Sequence, residues 1–227
     1  MVVPTRMRID PSITLLQQWL SPAYPVGAFA YSHGLEAAVE TGAISSAEDL
    51  RFWLEDLLTS GAGYSDPILL VAAYRHRDAE DLQDIDQMAR AFAPSKERLA
   101  ETNLQGAAFC QTTAAISGHE IAKLTYPVAL GYAARLHDLP LEATVHMYLH
   151  AFVSNLVAAA QRLMPVGQVE GQRILSDLAP LSAKAAQSAH LSDISDLSGP
   201  CLLDDIPPRP HATHTSRMVH PRAPSPR

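Results

Sequence analysis

The sequence predicts an all-α fold: a single-domain orthogonal bundle of about eight to ten helices around a central apolar helix at about 141–164, with a Pro-rich tail. Three observations carry this reading. Apolar residues recur at three- and four-residue steps along most segments. Helix start and stop residues bracket those segments. Alternating β-branched runs with Asn-Gly turns are nearly absent. With 227 residues, 47% of them apolar, the chain can bury a sizeable core within one domain.

Residues 1–10 read as a flexible N-terminus and 11–198 as the helical domain. Asp10-Pro11 supplies an N-cap and first-turn proline for a short helix carrying Leu15, Leu16, Trp19 and Leu20, which Ser21-Pro22 stops. A second helix is expected from near Ser32 to Gly42. Ser45-Ser46-Ala47-Glu48 reads as a capping box opening a helix with Leu50, Trp53, Leu54, Leu57 and Leu58 on one stripe. Gly61 and Gly63 are expected to break it, and Asp66-Pro67 to open the next, through Arg75. The acidic segment 78–94 places Leu82, Ile85, Met88 and Ala89 at helical spacing, its carboxylates read as a solvated face. Helices follow at about 95–117, 126–137 and 141–164, and two more at about 166–178 and 180–192, split at Pro180. Cys110 sits in an apolar stretch and reads as core. Asn155, mid-helix between Val153 and Leu156, is expected to be buried with hydrogen-bond partners.

Residues 199–227 differ from the rest. They contain seven prolines, and from Ile206 onward four arginines and no acid, in a chain of net charge −7. Proline at that density forbids a continuing helix, so the segment is expected to be disordered alone. Its charge suits contact with an acidic surface.

The acidic balance argues against nucleic acid as a partner. No apolar run is long enough for a membrane span, and no secretory signal is expected from the first residues. Two distant cysteines, with no CxxC pair, fit a reducing cytoplasmic setting. The phosphate-cradling G-x-x-x-x-G-K-[ST] loop is absent, as are G-x-G-x-x-G, G-x-S-x-G and H-E-x-x-H. His146 and His150, four apart on a helix, could face one ion. They support an alternative reading as a helical metal-binding protein or metal-dependent enzyme, although two ligands are insufficient alone. His211, His214 and His220 could bind nickel or zinc weakly.

One stretch says more. WLSPAYPVGAFAYSHGLE, residues 19–36, resembles the signature of the urease accessory protein UreF family, and Thr41-Gly42-Ala43-Ile44 matches how that block ends. A second block, 126–175, also looks like the family, with AFVSNL at 151–156, Arg162-Leu163 and PVGQ at 165–168. A third, weaker block is ERLAETNLQGAAF, residues 97–109. The resemblance spans about residues 11–192. It implies an all-helical protein that is not an enzyme, dimerises, and binds no cofactor stably. Its implied partners are the D/H-type urease accessory protein, the GTPase UreG and apo-urease. The implied task is to bridge the first two so that nickel reaches the urease.

Within the signature, Pro22, Pro25 and Gly27 restrict the backbone and would hold Tyr24, Phe29 and Tyr31 in place. Aromatic anchors on a rigid loop suit a protein interface, the alternative being that they pack inward. Ser32 is expected to cap the helix that contains Gly34, Leu35 and Glu36, placing His33 in its first turn, beside a carboxylate of a partner. The tail echoes the family's ending through Arg209, His211 and Arg217, with altered spacing and Met218-Val219 in place of Leu-Phe. The partner-binding candidates are therefore Tyr24, Phe29, Tyr31, His33, Glu36, Arg209, His211 and Arg217.

Overall fold

The computed structural model describes residues 10–27 and 33–198. The described residues form nine α-helices: α1 Pro11–Trp19, α2 Leu35–Glu40, α3 Ala47–Ser60, α4 Ala62–Arg75, α5 Ala79–Ala91, α6 Lys96–Ser117, α7 Tyr126–Leu136, α8 Leu141–Leu163 and α9 Gln168–Leu191. A 3-10 turn, Ile194–Ser198, follows. No strand occurs among the described residues.

Local chemistry fixes most of the helix starts. The Asp10 carboxylate accepts from the Ser12 amide at 3.0 Å, and Pro11 fills a position whose missing N–H has no intrahelical use. Asp78 and Ser95 cap α5 and α6 by accepting from the amides of Asp81 and Arg98. The capping box of α3 sits one residue later than expected. Ser46 is the N-cap and Asp49 the reciprocating acid, because Asp49 reaches back to the amides of both Ser45 and Ser46.

Three boundaries differ further. The helix α2 starts at Leu35 behind Gly34, which is left-handed at φ 85°, so His33 precedes the helix, itself at φ 51°. Ser32 lies outside the described residues. The helix α4 begins at Ala62, with Gly63 and Pro67 inside it. Only Gly61 interrupts; Gly63 lets α4 rest on the end of α3, where a Cβ would meet the Leu57 carbonyl oxygen at 2.9 Å. Finally, α9 runs unbroken through Pro180. Pro180 and Ser176 are both exposed, so the carbonyl that the proline leaves unbonded faces water.

The centre of the bundle is shared. The helix α8 contacts α1, α2, α4, α7 and α9, with Val145, Leu149, Val153 and Leu156 buried along it. The helix α4 contacts α3, α5, α7, α8 and α9, and Ile68 through Val71 are all buried. Two arginines tie helix ends: Arg135 donates to the carbonyls of Tyr74 and His76 at the end of α4, and Arg75 donates to the His190 carbonyl at 3.0 Å near the end of α9. No described helix is long and apolar enough to cross a membrane.

Two details place α6, which matters most for the site. Gly106 lets it approach the backbone before α7, where a Cβ would lie 2.0 Å from the Leu124 carbonyl oxygen. Beside it, Asp86 of α5 is buried, contrary to the expected solvated acidic face. Its carboxylate accepts from the Thr125 amide at 2.7 Å and hydroxyl at 2.8 Å, and pairs with Arg90 at 2.8 Å. That acid therefore pins the start of α7.

Candidate functional site

Three helices and the segment before α2 meet at a buried ionic junction. From α6, the Arg98 guanidinium donates to the Asp66 carboxylate of α4 at 2.8 Å and lies 3.4 Å from Glu101. From α8, the Tyr148 hydroxyl donates to the same Asp66 oxygen at 2.8 Å. Glu101 also accepts from the Gln105 amide at 3.1 Å, and its oxygen is 3.2 Å from His33 Nε2. The side chains of His33, Arg98, Asp66 and Glu101 are all at most 13% exposed.

Charge in such a place is costly unless matched. Burial opposes ionisation of Arg98, but Asp66 and Glu101 more than offset it, and the guanidinium pKa is raised. Burial raises the Glu101 carboxyl, with Arg98 working against that shift. Tyr148 is pushed well above the phenolic range, first by burial and then by the Asp66 charge, so it stays a donor.

His33 meets Glu101 at ion-pair distance, yet burial and then the Arg98 charge lower its pKa to about 3. At neutral pH the imidazole is uncharged, so the 3.2 Å approach to Glu101 is a polar contact and not an ion pair. The ring also stands edge-on to Phe152 at 5.0 Å. The sign of the pH effect follows. Above about 6.5, folded and unfolded chains both hold a neutral His33. As pH falls towards 3, the unfolded chain takes up a proton that the folded chain refuses, so stability is lost across that window. From pH 7 to 5 this costs about 2 kcal/mol. His33→Gln keeps a donor without titrating, so its unfolding free energy should fall less over that interval. Parallel curves in urea melts at pH 7 and 5 would disprove the assignment. Glu101 is common to both chains and cancels.

The three blocks singled out by sequence converge here. His33 comes from the first, Arg98 and Glu101 from ERLAETNLQGAAF, and Tyr148 and Phe152 from the block at 126–175. A cavity of about 40 Å³ at the junction is lined by residues of all three, among them His33, Glu101, Gln105, Phe152 and Asn155. A profile of the UreF family matches residues 44–179. The urease accessory protein UreF of Ruegeria pomeroyi is 47% identical over 218 residues, covering 96% of this chain and 99% of the relative. The chain belongs to the UreF family. The UreF of Ruegeria sp. (strain TM1040) is 55% identical over 203 residues, or 89% and 95% of the two chains. That of Rhodopseudomonas palustris is 41% identical over 219 residues, or 91% and 92%.

In this UreF-family chain the predicted site residues are scattered. Tyr24 is core: it is 6% exposed, packs on Phe109 at 5.7 Å, and shares a 2.8 Å hydrogen bond with Thr113. Its ring is turned inward and offers no face to a partner. His33 belongs to the junction and not to the first turn of α2. Glu36 is exposed in the first turn of α2. Phe29, Tyr31, Arg209, His211 and Arg217 lie outside the described residues. Asn155 is half-buried at the small cavity, and its side-chain amide forms no hydrogen bond among the described residues, so the buried, partnered amide expected there is not found. Cys110 is buried, as expected.

His146 and His150 line one groove between α8 and α9. Among the described residues no group of three or more His, Cys, Asp or Glu could hold a metal ion. The pair therefore falls short of a catalytic metal centre, which commonly takes three protein ligands.

Asp66 and Tyr148 were missed by sequence reasoning, which took Asp66 for a helix start. The available signal was an acid inside an otherwise apolar segment, GYSDPILL, in a helix too buried to leave a carboxylate unpaired.

Proposed function

We propose that this chain is a non-catalytic urease maturation factor. It bridges the D/H-type accessory protein and the GTPase UreG, and so helps nickel reach apo-urease. It works in the cytoplasm as a homodimer, and nickel is handled by the complex without being held as a cofactor of this chain. The observation that carries the reading is similarity to urease accessory proteins along nearly the full length of both chains. The architecture is compatible with it: the described titratable cluster is a buried structural junction, with Arg98 committed to two carboxylates.

The experiment is reconstitution. Untagged chain, co-expressed with the D/H-type protein, UreG and apo-urease from the same source, should co-purify with the first two and raise urease activity. Omitting it should leave the urease inactive. Failure to co-purify with the D/H-type protein, with urease activated equally without this chain, would overturn the proposal. Of the partner-binding candidates, Glu36 and the tail are the ones to test. Truncation after Asp205 is expected to weaken binding to the D/H-type protein, and rebuilding the tail to the family ending should strengthen it beyond the native chain. Equal affinities for all three forms would move the contact into the helical body.

A further inference from the structure

We propose that His146 and His150 form an exchangeable two-imidazole site for a late first-row divalent ion. The inference stands on the geometry of α8 and α9 and is independent of the accessory-protein reading.

The two histidines are one helical turn apart on α8, where Cβ atoms lie about 5–6 Å from each other. That spacing allows both rings to reach one ion at about 2.0–2.1 Å per nitrogen. Both line the same groove of about 180 Å³, with Val153 on their own helix and Leu175, Ala179, Ser182 and Ala183 across it. Among the described residues neither ring makes a hydrogen bond, an ion pair or a ring contact. Binding therefore breaks nothing in the fold and displaces solvent alone. Apart from Leu175, the facing wall is made of small side chains, which leaves room for an ion with its remaining waters. No lysine or arginine lines the groove to repel a cation.

The donor set fixes the class of ion. Two neutral imidazoles suit copper, nickel and zinc, while magnesium and calcium require oxygen ligands. It also limits the affinity. Two ligands, with water filling the other positions, give an ion that comes and goes. No carboxylate lines the groove to orient either ring, and a backing carboxylate is what usually tightens a histidine site.

The test uses the full chain without an added histidine tag. The tail histidines are replaced in the background (His211→Ala, His214→Ala, His220→Ala), so that they do not compete. Calorimetric titration with nickel chloride is expected to show one equivalent per chain, with magnesium chloride giving no heat. His146→Ala and His150→Ala should each weaken nickel binding about tenfold or more, because the second imidazole acts at high effective concentration. Copper(II) on the same background should show two nitrogen ligands by electron paramagnetic resonance, and one in either variant. Unchanged nickel affinity in both variants, or a copper spectrum without histidine nitrogen, would overturn the proposal. Both side chains lie at the groove surface, and thermal melts of each variant check that the fold is intact.

Discussion

Arg98→Met is expected to destabilise the fold by about 3–5 kcal/mol at pH 8, the cost of stranding a buried charge whose partner is removed. Methionine fills similar volume but supplies no charge to Asp66 or Glu101, which Arg98 now holds at 2.8 and 3.4 Å. Tyr148 and Gln105 still donate to those acids, but neutral donors do not neutralise two carboxylates. The pH dependence separates charge from packing. Burial already raises the Glu101 carboxyl and Arg98 opposes that shift, so without Arg98 its pKa rises further and the folded chain takes up a proton before the unfolded one does. The deficit should therefore shrink as pH falls from 8 to 5. Adding Asp66→Asn and Glu101→Gln should recover much of the loss. Urea unfolding of the single and triple variants at both pH values decides the matter. A deficit equal at pH 8 and 5, with no recovery in the triple variant, would mean that Arg98 matters for its packed stem alone.

That junction was the least legible part of the sequence, and the reason is physical. Helix starts are local: Asp10, Ser95 and Asp78 each satisfy amides two or three residues away, so spacing along the chain exposes them. The junction joins residues 33, 66, 98, 101 and 148, which no periodicity links. Family resemblance marked three of the segments without showing that they meet. Proline misled twice for one reason. It was read as a boundary at residues 67 and 180, but a helix tolerates the loss of one hydrogen bond when packing on its other residues outweighs it. The residues around Pro67 are buried on most sides, and Ile174, Leu178, Ala186 and Ala189 anchor α9 on both sides of Pro180. Asp86 was hidden by its neighbours: in an acidic segment a single inward carboxylate looks like the solvated ones, and its partner Thr125 is 39 residues away.

Gly106→Ala is expected to be nearly as damaging, through shape and not charge. Alanine favours a helix over glycine by about 1 kcal/mol, so propensity alone predicts stabilisation. Contact geometry predicts the reverse and outweighs it. A Cβ at position 106 would lie 2.0 Å from the Leu124 carbonyl oxygen and 2.8 Å from Thr125 C and Tyr126 N. All three are backbone atoms, so no rotamer can yield. Leu124 and Thr125 are held in place because Asp86 fixes Thr125 through both its amide and its hydroxyl. The helix α6 must then move away from α7, carrying Arg98 and Glu101 off Asp66 and His33. Overpacking of a tight core costs about 1–3 kcal/mol, and an obstacle made of backbone places this case at the upper end. Gly167→Ala, where a Cβ meets nothing within 4 Å, is the control and should change stability by less than about 1 kcal/mol. Urea midpoints of the two variants against the parent give the comparison. The displacement of α6 has its own signature: in Gly106→Ala the acid-dependent loss assigned to His33 should be smaller, because a loosened ring meets water and regains a more ordinary pKa. A variant as stable as the parent, with the same pH profile, would show that the α6–α7 contact is softer than its geometry requires.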